Sequence, residues 1–319
     1  MKFIGYKEII MNFGNIQTYL TELNKLNNKT NSIYSPVSVR AALQMYSIIK
    51  NTNKYKNYLN DTDYLGYLDR NNIKYINRVW LNKNQPMDIP IKILDYVYSL
   101  DMVDSEKATK EKNDFVKQQT HNFILETPSI LSNDIIYDIM NIVYFKDSWS
   151  KIGGYELNPK MEFFNLDGTI THNIDNFSAY SKSVYENNTC YAISLNYTNN
   201  NRFWLIYPKE DITKVNLNNL IWVSAVCTMN IPEFTVQAGL DIGKLFNIDK
   251  SITMSQIAKI EVNHLGTEAS AVTEVVKCGA ALRKDIPKRL ELTFDKPFIY
   301  FIEDTTVNDF IFIGRINKM

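Results

Sequence analysis

The side chains that ordinarily carry chemistry are few and scattered in this sequence. Its three histidines, His121, His172 and His264, stand far from one another and from Cys190, Cys227 and Cys278, and none has metal-pair spacing. A zinc centre needs such ligands in paired order, so each histidine reads as a surface or satisfied structural residue, and no metal is implied. Three widely separated cysteines fit neither a disulfide framework nor a CxxC pair, which points to a reducing compartment. No GxSxG elbow or glycine-rich phosphate loop occurs, and 11 glycines leave little material for one. The chain offers no enzyme site and implies no cofactor. One stretch is chemically unusual in another way: GTEASAVTEVVKCGAALRKD, from Gly266 to Asp285, is small and polar although strand patterns flank it on both sides.

The elements around that stretch follow from pattern. Lys and Arg number 35 and Asp and Glu 35, so no net field draws the chain to nucleic acid or an acidic membrane. Lys7 and Glu8 interrupt any apolar signal core, and no later run approaches about 18 apolar residues, so a soluble, unsecreted chain is expected. Phe13, Ile16, Tyr19, Leu20, Leu23 and Leu26 recur at helical spacing. A second, buried helix is expected after Ser35 as N-cap with Pro36 in its first position. IKYINRVWLNK reads as a strand, and a helix is expected around NDFVKQQTHNFI with Asn113 as its cap. The run from Ile135 to Phe145 is apolar almost throughout, as in a strand covered on both faces. AISLNYT, NRFWLIYP, IPEFTVQA and KIEVNH follow as strands, and LTFDKPFIYFIED and NDFIFIGRI form a hairpin near the C-terminus. Helices in the first half and strands in the second predict an α+β fold with large sheets, and no linker divides the chain into more than one domain, 1–319.

Several of these segments, in this order, resemble the serpins. NSIYSPVS, Asn31 to Ser38, is similar to the family motif that opens the helix under the main sheet. IMNIVYFKDSW, Ile139 to Trp149, resembles the third strand of that sheet with its tryptophan. MEFFNLDGTITH resembles the segment leading on to the second sheet, KIEVNHLGTEASAVTEVV the fifth strand and loop hinge, and FDKPFIYFIED with DFIFIGRI the C-terminal strand pair. The resemblance implies a serpin fold, helices on large mixed sheets with an exposed reactive-centre loop at about 266–290. It places Ser35, Ser38 and Asn141 in the shutter, Trp149 in the breach, and Gly266, Thr267, Glu268, Ala269, Ser270 and Ala271 in the hinge. Helix D is expected to be shortened or absent between Tyr58 and Ile73. The compact chain, rich in Asn, Ile, Lys and Tyr, is most like the intracellular serpins of poxviruses. Two positions depart from the pattern: Gln256 stands where the shutter usually has His, and His264 where the hinge usually has Glu.

The resemblance implies a monomeric suicide inhibitor acting in the cytoplasm of an infected host cell, with a serine protease preferred over a cysteine protease as partner, and neither nucleic acid nor membrane. A protease cuts the loop, and the cut loop enters the sheet as a strand before the acyl-enzyme hydrolyses. Entry demands small or apolar inward residues and no proline, because a central strand needs every N–H. Thr267, Ala269, Ala271, Thr273 and Val275 alternate with Glu268, Ser270, Val272 and Glu274, which suits a period of two. Counting forward from Gly266 puts the reactive bond at Ala280–Ala281; counting back from DKPF puts it at Arg283–Lys284. The first suits an elastase-like pocket and the second a trypsin-like one. The alternative use of the same fold is a non-inhibitory binding protein that engages a host partner without trapping a protease.

Overall fold

The computed structural model describes residues 17, 18, 20, 21, 23, 24, 29–59, 62–66, 73–85, 87–150, 155–267 and 287–319. Strand Tyr137–Phe145 lies at the centre, and all its residues are buried. Its alternating side chains serve two different layers. Tyr137, Ile139, Val143 and Phe145 pack toward helix Pro36–Ile49 and the second sheet, whereas Met140, Ile142 and Tyr144 pack toward helix Ser105–Gln119. That double burial is why the segment is apolar on both faces apart from Asp138 and Asn141.

The main sheet runs in the order Val97–Leu100, Ile73–Asn82, Tyr137–Phe145 and Ile252–Asn263, with Phe234–Asp241 paired to the last. Two short strands, Gly266–Thr267 and Asp147–Ser148, complete its upper part. A seven-stranded sheet holds Ser32–Tyr34 beside the C-terminal hairpin of Phe298–Asp304 and Asp309–Ile316, then Asn201–Pro208, Cys190–Asn196, Val184–Glu186 and Ile221–Trp222. The third sheet is Lys288–Thr293, Ala225–Pro232, Asn176–Ser181 and Glu156–Leu157. The α+β architecture is the one expected.

Helix Pro36–Ile49 starts where its sequence signals place it: the Ser35 side chain accepts from Ser38 N, and Pro36 fills the first turn. It lies almost wholly buried between the main and seven-stranded sheets, so its interior position comes from packing. Of the first expected helix, the described residues 17, 18, 20, 21, 23 and 24 are helical, with Leu20 and Leu23 buried. Between Tyr58 and Ile73, Tyr58 and Leu59 end a four-residue helix, Lys56–Leu59, and the other described residues, 62–66, form no helix.

Three boundaries differ from expectation, one of them within LTFDKPFIYFIED, where Leu292 and Thr293 end strand Lys288–Thr293 of the third sheet and only Phe298–Asp304 enters the hairpin. Helix Ser105–Gln119, expected to start at Asn113, is capped by Asp104, whose carboxylate accepts from Lys107 N, and Asn113 lies within it, turned to accept from Thr127 N and Oγ1. It ends at Gln119 because His121 and Asn122 take left-handed φ angles of 49° and 63°, so Phe123 and Ile124 pack from beyond its end. The expected strand IPEFTVQA is split between two sheets at Glu233. Pro232 closes the first piece, and Glu233 N donates to Asp175 O, turning the chain into the second.

Candidate functional site

The site is the line along which Tyr137–Phe145 and Ile252–Asn263 meet. They run parallel and pair from Tyr137 with Ile252 to Val143 with Ala258. Above that the strands part. Gly266–Thr267 lies in the fork, with Thr267 opposite Val262 on one side and Asp147 on the other, and Gly266 opposite Asn263 and Ser148. This two-residue strand is antiparallel to both neighbours. Gly266 carries the turn into it at φ 145°, which is strained for any residue with a Cβ.

Midway down the seam, the face toward helix Pro36–Ile49 holds a row of polar side chains. Ser38 Oγ donates to Asn141 Oδ1, Asn141 Nδ2 donates to Asn77 Oδ1 at 2.6 Å, and Asn77 Nδ2 donates to Leu65 O at 2.7 Å. Gln256 is the register partner of Asn141 across the seam, and its Oε1 accepts from Ser35 N at 3.1 Å. The structure thus brings Ser35, Ser38, Asn141 and Gln256 together between helix and seam. Gln256 Nε2 is buried without a hydrogen-bond partner. An orphaned buried donor of that kind costs about 1–3 kcal/mol, so the closed seam retains an unmet polar demand.

The fork is walled by aromatic rings. Trp149 is stacked between Tyr197, centroids 4.6 Å apart, and Tyr155, at 5.2 Å, and its Nε1 donates to Asn263 O at 2.8 Å. The Tyr197 hydroxyl lies 2.6 Å from Thr267 Oγ1, and Thr267 is fully buried. Burial pushes the Tyr197 hydroxyl well above its ordinary value, so it stays neutral and serves Thr267 as a fixed polar partner. Next to the fork, Glu233 Oε1 accepts from both His264 N, at 3.0 Å, and His264 Nδ1, at 2.7 Å. His264 is therefore tied to the corner between two sheets.

The remaining expected positions divide simply. Glu268, Ala269, Ser270 and Ala271 of the hinge, both reactive-bond alternatives, Ala280–Ala281 and Arg283–Lys284, and Cys278 lie outside the described residues. Burial raises the thiols of Cys190 and Cys227, the latter to about 12, which leaves them poor nucleophiles. His172 meets Glu162 at the surface at 2.8 Å. Among the described residues, no three His, Cys, Asp or Glu side chains are placed to hold a metal ion, and no helix is long and apolar enough to cross a membrane. Four residues of the site were missed by sequence reasoning: Asn77, Tyr155, Tyr197 and Glu233. Asn77 had a signal, since it interrupts the apolar series Ile73, Tyr75, Val79 at an inward position. Tyr155, Tyr197 and Glu233 had none, being single residues beside strand ends.

The profile of the family described as "Serpin (serine protease inhibitor)" matches residues 93–319. The chain belongs to the serpin family. A swinepox virus serpin relative, "Probable serine proteinase inhibitor 1", is 26% identical over 92% of this chain and 98% of its own length. Rat alpha-1-antiproteinase is 22% identical over 98% of this chain and 89% of its own. Among solved structures, the native thermophilic serpin tengpin superposes with a TM-score of 0.77 at 19% identity, covering 96% of this chain and 94% of tengpin. Thyroxine-binding globulin in complex with thyroxine gives 0.72 at 16% identity, covering 96% and 97%. The main sheet and its seam are thus those of the serpin fold.

Proposed function

We propose that this serpin traps a host protease by taking its cleaved loop into the seam. The observation that carries the reading is Gly266–Thr267, lodged at the mouth of the seam between Ile252–Asn263 and Asp147–Ser148 and antiparallel to both. A strand continuing that course would replace one parallel ladder by two antiparallel ones, which pair somewhat better per residue. The Gln256 amide at the seam would meet new hydrogen-bonding groups as it did so. The loop behaves toward the protease as a substrate, and the chain itself performs no turnover. The intended partner is a serine protease in preference to a cysteine protease; the likeness to a swinepox virus protein supports a viral origin, and the proposed place of action is the cytoplasm of an infected cell.

The test is incubation with a panel of serine and cysteine proteases. The expected result is an SDS-stable covalent complex with at least one, and a rise in melting temperature once the loop is cut. Mass spectrometry of the products distinguishes cleavage at Ala280–Ala281 from cleavage at Arg283–Lys284. Cleavage by every protease without complex or stabilisation would sink the reading. Thr267→Arg puts a charge where the structure has a buried hydroxyl and is expected to abolish complex formation.

A second reading is a serpin fold used as a binding protein. It draws on the likeness to thyroxine-binding globulin and on Gln256 and His264 at positions where the family pattern has other residues. On that reading, loop cleavage leaves the melting temperature unchanged, and Thr267→Arg leaves partner capture intact.

A further inference from the structure

Helix Ser105–Gln119 covers the main sheet with a largely apolar face, in which Val116 packs with Met140, Ile142 and Tyr144 of the central strand. Lys112 is on the same face and is fully buried. Its Nζ donates to Ser129 O and Oγ at 2.7 Å and to Asp138 Oδ2 at 3.2 Å. Asp138 is also fully buried, and its Oδ1 accepts from Ser129 Oγ at 3.2 Å and Thr253 Oγ1 at 2.6 Å. The hydroxyls of Ser129 and Ser255 stand 3.4 Å apart. Asp138 and Thr253 are register partners, so this cluster crosses the seam near its lower end. It joins the helix, the segment following it and both strands.

A buried ion pair is a weak stabiliser, because desolvation offsets its attraction and apolar residues of similar volume do as well or better. Its distinctive property is that its polar atoms are satisfied in one arrangement only. Here that arrangement needs the helix seated and the two strands adjacent. Parting them by the width of one strand, about 4.8 Å, carries Thr253 away from Asp138 and Ser255 away from Ser129. We propose that Lys112, Asp138 and Thr253 form a latch that keeps the lower end of the seam shut and the helix over it. If the loop enters the seam as argued above, this latch sets how readily it travels to that depth; the latch itself is a property of the uncut protein.

Hydrogen exchange of the intact chain tests it without any protease, so failure to inhibit and failure of the latch are separate results. Thr253→Val removes the donor across the seam and leaves the Lys112–Asp138 pair in place. Amides of 137–143 and 252–258 are expected to exchange roughly tenfold faster or more, as loss of a bond to a charged acceptor requires, with the hairpin Phe298–Asp304 and Asp309–Ile316 unchanged. The paired change Lys112→Met with Asp138→Leu removes both charges and is expected to give the same regional loss with no fall in melting temperature. Unchanged exchange along the seam in either variant overturns the latch. Loss of equal size in the hairpin also overturns it, since that marks a general change in stability.

Discussion

At the upper end of the seam, Trp149, Tyr155 and Tyr197 stack in layers and admit a two-residue strand between the parting backbones. At the lower end, Lys112, Asp138, Ser129 and Thr253 close the same two strands through hydrogen-bonded charges. Ring contacts are many and individually weak, so they slide and re-form as neighbours shift. A desolvated ion pair has no such gradation, because each polar atom is either matched or exposed to a low dielectric. One sheet therefore has an adaptable end and an all-or-none end, and Gly266 and Thr267 sit at the adaptable one.

The largest expected effect comes from breaking the charged end by half. Lys112→Met alone leaves Asp138 buried without a counter-ion, which should cost roughly 3–5 kcal/mol. The melting temperature should drop by roughly 5–15 °C. The paired change with Asp138→Leu should restore the melting temperature to that of the unaltered protein, and a single variant melting close to wild type would mean that this end is not held by charge. Trp149→Ala tests the aromatic end. It should cost about 3 kcal/mol, toward the lower part of the range for buried tryptophan, because Tyr155 and Tyr197 can close on the gap. A cost exceeding that of Lys112→Met would erase the contrast between a yielding and an unyielding end.

Tyr197→Phe sharpens the comparison at one atom. It keeps the ring on Trp149 but removes the partner of Thr267 Oγ1, so about 1 kcal/mol should be lost. Amide exchange should rise at residues 266 and 267 and leave 252–258 alone; an equal rise at both would show the two ends to be one unit. The smallest effect is expected from a buried acid outside the seam. Burial raises the Glu303 carboxyl above its ordinary value, against the opposing effect of Trp204 Nε1, which donates to it at 2.8 Å. The folded protein then holds this proton more tightly than the unfolded chain. Its penalty on folding is full above the folded value and vanishes as pH falls below the unfolded value of 4.5. Glu303→Gln should raise the melting temperature by a degree or two at about pH 7.5 and change nothing at about pH 4. A gain that persists in acid would show that charge is not its source.

Much of the frame was legible in the residues. The Ser35 and Pro36 start of the buried helix, the doubly covered run ending at Phe145, and the C-terminal hairpin all stand where pattern puts them, because capping, burial and turn chemistry act over a few residues. The errors fell where a local rule met a competing one. Asn113 had the chemistry of a cap, but Asp104 lay nine positions earlier at the true start, and Asn113 was drawn to Thr127. IPEFTVQA had the period of one strand, but Pro232 and Glu233 turn it from one sheet into another.

The sequence by itself determined which faces are apolar and where several helices and strands lie, because periodicity and capping are properties of neighbouring residues, and the order of its motifs resembled that of the serpins. Only the tertiary structure decided which polar atoms meet. Asn77 finds Asn141, Glu233 finds His264, and Lys112 finds Asp138 across gaps of 64, 31 and 26 residues. A side-chain period says which way a residue points. The partner it finds there depends on how the layers stack, and no local pattern carries that information.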